Sequence, residues 1–163
     1  MSDKYWKTDV DIDISVKKLI EQYREDLVDN IPYILCIFKD KATISKGKIG
    51  IAKIRKVSIK DNVLYEHLSG GIVDFIIEIA HDIWERLDDV QKKAVMYHEL
   101  EHIVIRMEDD GIKYSLRNHD VEEFASVIGE FGFYKKDLVD FFNEVDKSNA
   151  KTSIGRVKKS DSV

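Results

Sequence analysis

Cysteine is nearly absent from this chain: Cys36 is the only one in 163 residues. An internal disulfide is therefore excluded, and so is a metal site built from several thiolates. No apolar run approaches membrane-spanning length, and Met1-Ser2-Asp3-Lys4-Tyr5-Trp6 lacks the apolar segment of a signal peptide. The expectation is a cytoplasmic protein with no membrane segment. Pro32 is the sole proline, and internal repeats and linker-like stretches are missing. At this length the chain forms one domain able to bury a real core. The domain is assigned to residues 1–146, followed by a disordered basic tail at 147–163.

The charge is uneven. The chain sums to −5. Residues 147–163 carry Lys147, Lys151, Arg156, Lys158 and Lys159 against Asp161, a balance of +4 that leaves −9 for residues 1–146. An acidic body argues against an extensive nucleic-acid surface.

What is present is Tyr97-His98-Glu99-Leu100-Glu101-His102-Ile103. Two histidines four residues apart, with a glutamate after the first, form the His-Glu-x-x-His pattern of zinc peptidases. Positions i and i+4 share a helix face, so both imidazoles can address one metal ion. Glu99 lies about 100° further round the helix, beside the metal rather than on it. Asp88 and Gln91 form a capping box that starts this helix. The helix is expected to run to about Arg106, because Ala94, Val95, Met96, Leu100, Ile103, Val104 and Ile105 make it apolar almost all round.

Around it the pattern reads as α+β. A helix is expected from Ser15 to about Asn30, with Val16, Leu19, Ile20, Tyr23 and Leu27 inward and Lys17, Lys18, Glu21 and Arg24 in water. Strands are expected at 33–38, 50–57 and 74–79, with a polar connection at 39–48 and a turn at Asp61-Asn62. A short helical turn covers 80–87. The strand at 74–79 is the candidate edge to which an extended substrate would add. A helix capped by Asn118 and closed by Gly132 follows, then a last helix over 135–146. The architecture expected is a small, mostly antiparallel sheet packed against a central His-Glu-x-x-His helix with flanking helices, a zincin-like arrangement.

A catalytic zinc needs three protein ligands and an open position. His98 and His102 provide two. His119, seventeen residues past His102, is the leading third, with Glu122 and Glu123 as alternatives, since either set is chemically sound. Asp120, Glu122 or Glu123 could orient the other ring nitrogen of His119. Glu101 reads as a solvent-facing or orienting residue, His67 and His81 as structural or surface residues, and Cys36 as inert core. The chemistry expected is metal-assisted hydrolysis of a protein or peptide with Glu99 as general base. Tyr97, Tyr114 and Arg117 are the candidate oxyanion donors.

The chain resembles the phage metallopeptidases, small proteins encoded by phages and prophages. The likeness rests on Tyr97 to Ile103, on His119-Asp120-Val121-Glu122-Glu123-Phe124, on the apolar strand leading to Trp84, and on Gln91-Lys92-Lys93-Ala94. It spans about residues 31–134. Those proteins are similar in turn to SprT-like zinc peptidases, whose third ligand is a histidine opening the helix after the metal helix. The resemblance implies zinc ligands His98, His102 and His119 with Glu99 as base. Glu101 departs from it, since an apolar or small residue often stands there. The SprT-like association with DNA does not carry over to a chain with an acidic body and no zinc ribbon. Two other readings share these residues: a peptidase cleaving a single repressor, and a zinc-stabilised binding module without activity. An intact Glu99 argues against the second, because a structural zinc site closes with four ligands.

Overall fold

The computed structural model describes residues 2–63, 71–119, 124–132, 134 and 139. The expected helix over 135–146, the tail at 147–163, His67, Asp120, Glu122 and Glu123 lie outside them, Val139 excepted.

The fold is α+β. Strand β1 (Tyr5–Lys7) precedes α1 (Val10–Tyr23) and α2 (Glu25–Val28). Strand β2 (Ile34–Lys39), the hairpin β3 (Thr43–Ser45) and β4 (Lys48–Gly50), and β5 (Ala52–Lys56) follow. After β6 (Phe75–Ala80) come α3 (His81–Trp84) and α4 (Asp89–Glu101). A hairpin of β7 (Ile103–Glu108) and β8 (Gly111–Leu116) leads to α5 (Ala125–Phe131).

The main sheet has the order β1-β2-β6-β5. It is mixed: β2 and β6 run parallel, in register from Ile34 opposite Phe75 to Lys39 opposite Ala80, while β1 and β5 are antiparallel to their neighbours. Near-continuous apolar strands suit a centre buried on both faces, and Phe75, Ile76, Ile77 and Ile79 are fully buried. The strand at 74–79 is thus interior, with both hydrogen-bonding edges taken, and it is not the edge expected from the sequence. The margins of this sheet are β1 and β5, and of the two it is β5 that packs on the helix carrying the two motif histidines.

Helix α1 starts earlier than Ser15, with Asp9 at its N-cap, and breaks at Arg24. The connection at 39–48 contains a hairpin whose two-residue turn, Lys46-Gly47, holds both residues at positive φ (50° and 76°), as a type I′ turn requires. Asp61 and Asn62 lie in a helical segment at 59–63 rather than a turn. Helix α4 begins as its sequence dictates. The Asp88 side chain accepts from the Gln91 N–H at 2.8 Å, and the Gln91 side chain accepts from the Asp88 N–H at 3.0 Å. Asp88→Ala should cost about 1 kcal/mol of stability, measurable as a lower denaturant midpoint with unchanged m-value.

The far end of α4 departs from the expectation. The helix stops at Glu101, His102 is its C-cap, and 103–108 is strand. Ile103, Val104 and Ile105 favour a pleated, half-buried surface through their β-branched side chains, and β8 offers them a partner. Arg24 removes the other reason to continue. Its guanidinium donates to the Leu100 carbonyl and, at 2.7 Å, to the Ile103 carbonyl. Carbonyls without intrahelical donors at a helix C-terminus need such partners. Arg24 is accordingly buried, not turned to water.

Candidate metal centre

The β7–β8 hairpin explains the seventeen-residue spacing. Its register runs from Glu108 opposite Gly111 to Ile103 opposite Leu116, and the Arg117 N–H extends it by donating to the His102 carbonyl at 2.8 Å. The chain therefore returns beside the end of α4, two residues before His119. One nitrogen from each of His98, His102 and His119 falls in a group within 4.8 Å of one another. The Nε2 atoms of His98 and His119 approach to 2.9 Å. Two nitrogens on a tetrahedral zinc stand about 3.3 Å apart, from a Zn–N bond of about 2.0–2.1 Å, so small shifts bring this pair to ligand spacing. His119 follows β8 outside any helix or strand, and α5 begins only at Ala125 with Phe124 as N-cap. Asn118 is therefore not the cap of α5, and residues 120–123, between His119 and that cap, lie outside the described residues.

His102 is oriented by its own backbone neighbours. Its Nδ1 lies 2.7 Å from the Arg117 carbonyl. A carbonyl only accepts, so Nδ1 carries the proton and Nε2 presents its lone pair. The Phe124 ring packs on the three imidazoles, with centroids 5.3, 4.7 and 5.4 Å from His98, His102 and His119, and the Arg117 guanidinium carbon lies 4.2 Å from its centroid. Burial runs from His98, inside, through half-buried His102 to exposed His119. The cluster opens toward solvent on the His119 side.

Glu99 is 4 % exposed. Its Oε2 accepts the Ile54 N–H at 2.8 Å, and its Oε1 lies 3.9 Å from His98 Nε2. The carboxylate is held beside the imidazoles by the margin strand. Residues 51, 53 and 55 turn their backbone polar groups toward β6, as the Ala80 N–H donating to the Ile51 carbonyl indicates. By alternation Ala52, Ile54 and Lys56 turn theirs outward, along the groove.

Glu101 is the residue whose role the sequence conceals. It is buried and neither ligand nor solvent-facing. Its Oε2 accepts from Arg117 Nη2 at 2.9 Å and from the Ser126 hydroxyl at 2.8 Å, while Oε1 lies 3.8 Å from Arg24 Nε. The Arg117 Nε–H donates to the Glu101 carbonyl at 2.8 Å. Arg117, whose carbonyl orients His102, is thus clamped at both ends to α4 and its hairpin. Arg24 in turn pairs with Asp26 at 2.8 Å, and the hydrogen bonds from Arg24 hold the Asp26 carboxyl below its usual range. A glutamate one position before the second motif histidine gave no signal of this. Only the long-range return of Arg24 and Arg117 makes it a hub.

The remaining candidates are placed apart. Tyr97 stacks on Tyr23 at 4.8 Å within the core, and burial raises its pKa. The Tyr114 hydroxyl donates to the Asn30 carbonyl at 2.6 Å. Of the three oxyanion candidates only Arg117 lines the groove beside the imidazoles, a space of about 900 Å³. His81 packs edge-on to Trp6 and Phe38 at 5.1 and 4.9 Å, away from the cluster. Cys36 is buried, with its thiol pushed up to about 12 by desolvation, which makes it a poor nucleophile.

Fold and cluster together describe an α+β domain with three converging imidazoles able to hold a metal ion. A family model described as "Putative phage metallopeptidase" matches residues 4–151, and the chain belongs to that family. Searches of curated proteins and of solved structures gave no match. Among the described residues no helix is long and apolar enough to cross a membrane.

Proposed function

We propose that the protein is a zinc-dependent peptidase, with His98, His102 and His119 as ligands and Glu99 as general base. The observation that carries this reading is the convergence of three imidazole nitrogens beside a buried carboxylate, with the tautomer of His102 set by the Arg117 carbonyl. The donor set fits the ion: three neutral nitrogens, one side open, and a fixed orienting partner. Bound zinc would supply Lewis-acid polarisation of the scissile carbonyl and a more acidic water. Glu99 takes the proton of the attacking water and delivers it to the leaving amine. The Ile54 amide keeps the carboxylate aimed while leaving Oε1 on the His98 side.

The substrate backbone lies along β5. Its outward groups at Ala52 and Lys56, with the Ile54 carbonyl, can pair with an extended chain by strand addition. On this reading the sheet above a metal-bearing helix is zincin-like, with β5 taking the part the sequence suggested for 74–79. Arg117 is the oxyanion donor best placed along the groove. A protein or peptide substrate and a cytoplasmic setting belong to the same proposal.

Metal analysis tests it. Purified wild type should hold a single zinc ion, and His119→Ala should lose more affinity than the roughly 10–100-fold that removal of an orienting partner costs. Glu122→Ala and Glu123→Ala should retain the metal. Full zinc retention by His119→Ala would sink the ligand assignment.

A further inference from the structure

The β3–β4 hairpin is bound at its base to the main sheet. The Ala42 N–H donates to Asp82 Oδ1 at 2.9 Å, and the Ala80 N–H donates to the Ile51 carbonyl at 2.8 Å. Both feet are thus tied to the junction of β6 and α3, next to the Ala52 end of β5. Beyond those ties all six strand residues are exposed. A lone two-stranded hairpin has little stability of its own in water, so the ties at residues 80–82 fix where it stands. It stands on the groove: Thr43, Ser45 and Ile49 line the same space as the imidazoles.

Apolar residues follow one another at this end of the groove. Ile49, Ile51 and Ala52 are all in its lining. Ile51 and Ala52 are half-buried and packed on the main core, and the bond from Ala80 holds the Ile51 backbone. Ile49 is 55 % exposed, and Ile44, its partner across the hairpin, is 72 % exposed. Residues directly opposite on antiparallel strands share a face, so the two isoleucines form one patch open to water. Covering apolar area of this kind is favourable, and the chain that adds to β5 is the partner within reach.

Resting on the peptidase reading of the same site, we propose that Ile49 and Ile51 form a subsite that selects a large apolar side chain of the substrate. The occupant is the polypeptide that adds to β5. Glu99 meets that strand at Ile54, which sets the scissile bond there, and Ile51 lies three residues upstream. At about 3.3 Å per residue the subsite is about 10 Å from the bond, so it takes a side chain about two or three residues away. The outward backbone groups of Ala52 hold the substrate main chain beside it, and the hairpin forms the outer wall.

The test uses zinc-loaded Glu99→Gln protein and labelled, otherwise identical peptides carrying Leu or Ser at spaced positions, followed by fluorescence anisotropy. The Leu peptide should bind at least about tenfold more tightly, the scale on which an apolar pocket discriminates, and the gap should persist in high salt. Ile49→Thr keeps the β-branched shape that a strand favours. It should keep its metal and thermal midpoint and lose most of the preference, while Ile49→Leu should retain it. Ile59, 90 % exposed and not in the lining of the groove, is the control, and Ile59→Thr should leave the preference intact. Equal binding of the Leu and Ser peptides overturns the proposal. So does an unchanged preference in Ile49→Thr, or an equal loss in Ile59→Thr. Cleavage of a mixed peptide library by wild type separates the two readings. Its cut sites should carry Leu, Ile or Phe at one fixed position about two or three residues from the bond. Cutting without that preference defeats the apolar subsite alone. Apolar-selective binding with no cutting of any peptide defeats the peptidase reading and leaves the subsite standing.

Discussion

Glu99→Gln should keep its full zinc content and its fold while losing about 10²–10⁴-fold in turnover, the range expected when a general base is removed. The substitution is nearly isosteric, and its amide oxygen can still accept the Ile54 N–H that Glu99 Oε2 accepts at 2.8 Å. What disappears is the basic oxygen on the His98 side, the one that would take a proton from water. Loss of activity with intact metal would therefore report chemistry rather than unfolding. Turnover of a dye-quenched unfolded protein, measured beside zinc content and thermal midpoint, gives the three readouts together. A variant that hydrolyses at the wild-type rate would remove Glu99 from the mechanism and favour a metal-stabilised binding module.

Glu101→Ala should be the most damaging change outside the imidazoles, costing about 3–5 kcal/mol of stability. The reason is the company it keeps. Its carboxylate meets Arg117 at 2.9 Å and approaches buried Arg24 to 3.8 Å, so truncation leaves cationic groups desolvated with less compensation. Arg24 retains Asp26, which points to the lower end of that range. The loss should reach the metal as well. Arg117 is positioned by Glu101, and the Arg117 carbonyl holds His102 Nδ1, so zinc affinity should fall by about 10–100-fold. Glu101→Gln, which can still accept from Ser126 and Arg117, should recover much of the stability in denaturant titration. If Glu101→Ala unfolds at the wild-type midpoint, the network contributes little and the clamp on Arg117 is immaterial.

These two residues stand in the same motif, and their legibility differs for a physical reason. Glu99 follows the first histidine in a pattern whose geometry is local: 3.6 residues per turn place the carboxylate beside the metal face whatever the rest of the chain does. Glu101 depends on partners 16 and 25 residues downstream and on Arg24 far upstream. No periodicity reports such partners. Arg24 closes an amphipathic pattern on the polar side, so helical periodicity alone turns it to water. Tertiary packing turned it onto the end of α4, where unpaired carbonyls need a donor more than the guanidinium needs solvent.

The same division runs through the fold. The buried strands at 34–39 and 75–80, the capped start at Asp88 and the Gly132 stop after α5 follow from local chemistry. The end of α4 does not. Ile103, Val104 and Ile105 fit a buried helix and a strand about equally by sequence, since a short apolar run carries little periodicity. The pairing with β8 decides it, and pairing is non-local.

By itself, then, the sequence determined an α+β chain with two histidines and a glutamate on one capped helix, because turn chemistry, capping and helical spacing act within a few residues. Only the tertiary structure decided which strand borders the site, how His119 comes to its partners, and what Arg24, Glu101 and Arg117 do. Sheet order, hairpin register and buried ion pairs join residues that are distant along the chain. β5 rather than β6 is the margin because β6 is already paired on both sides, and it is the Ile54 amide of that margin that meets Glu99.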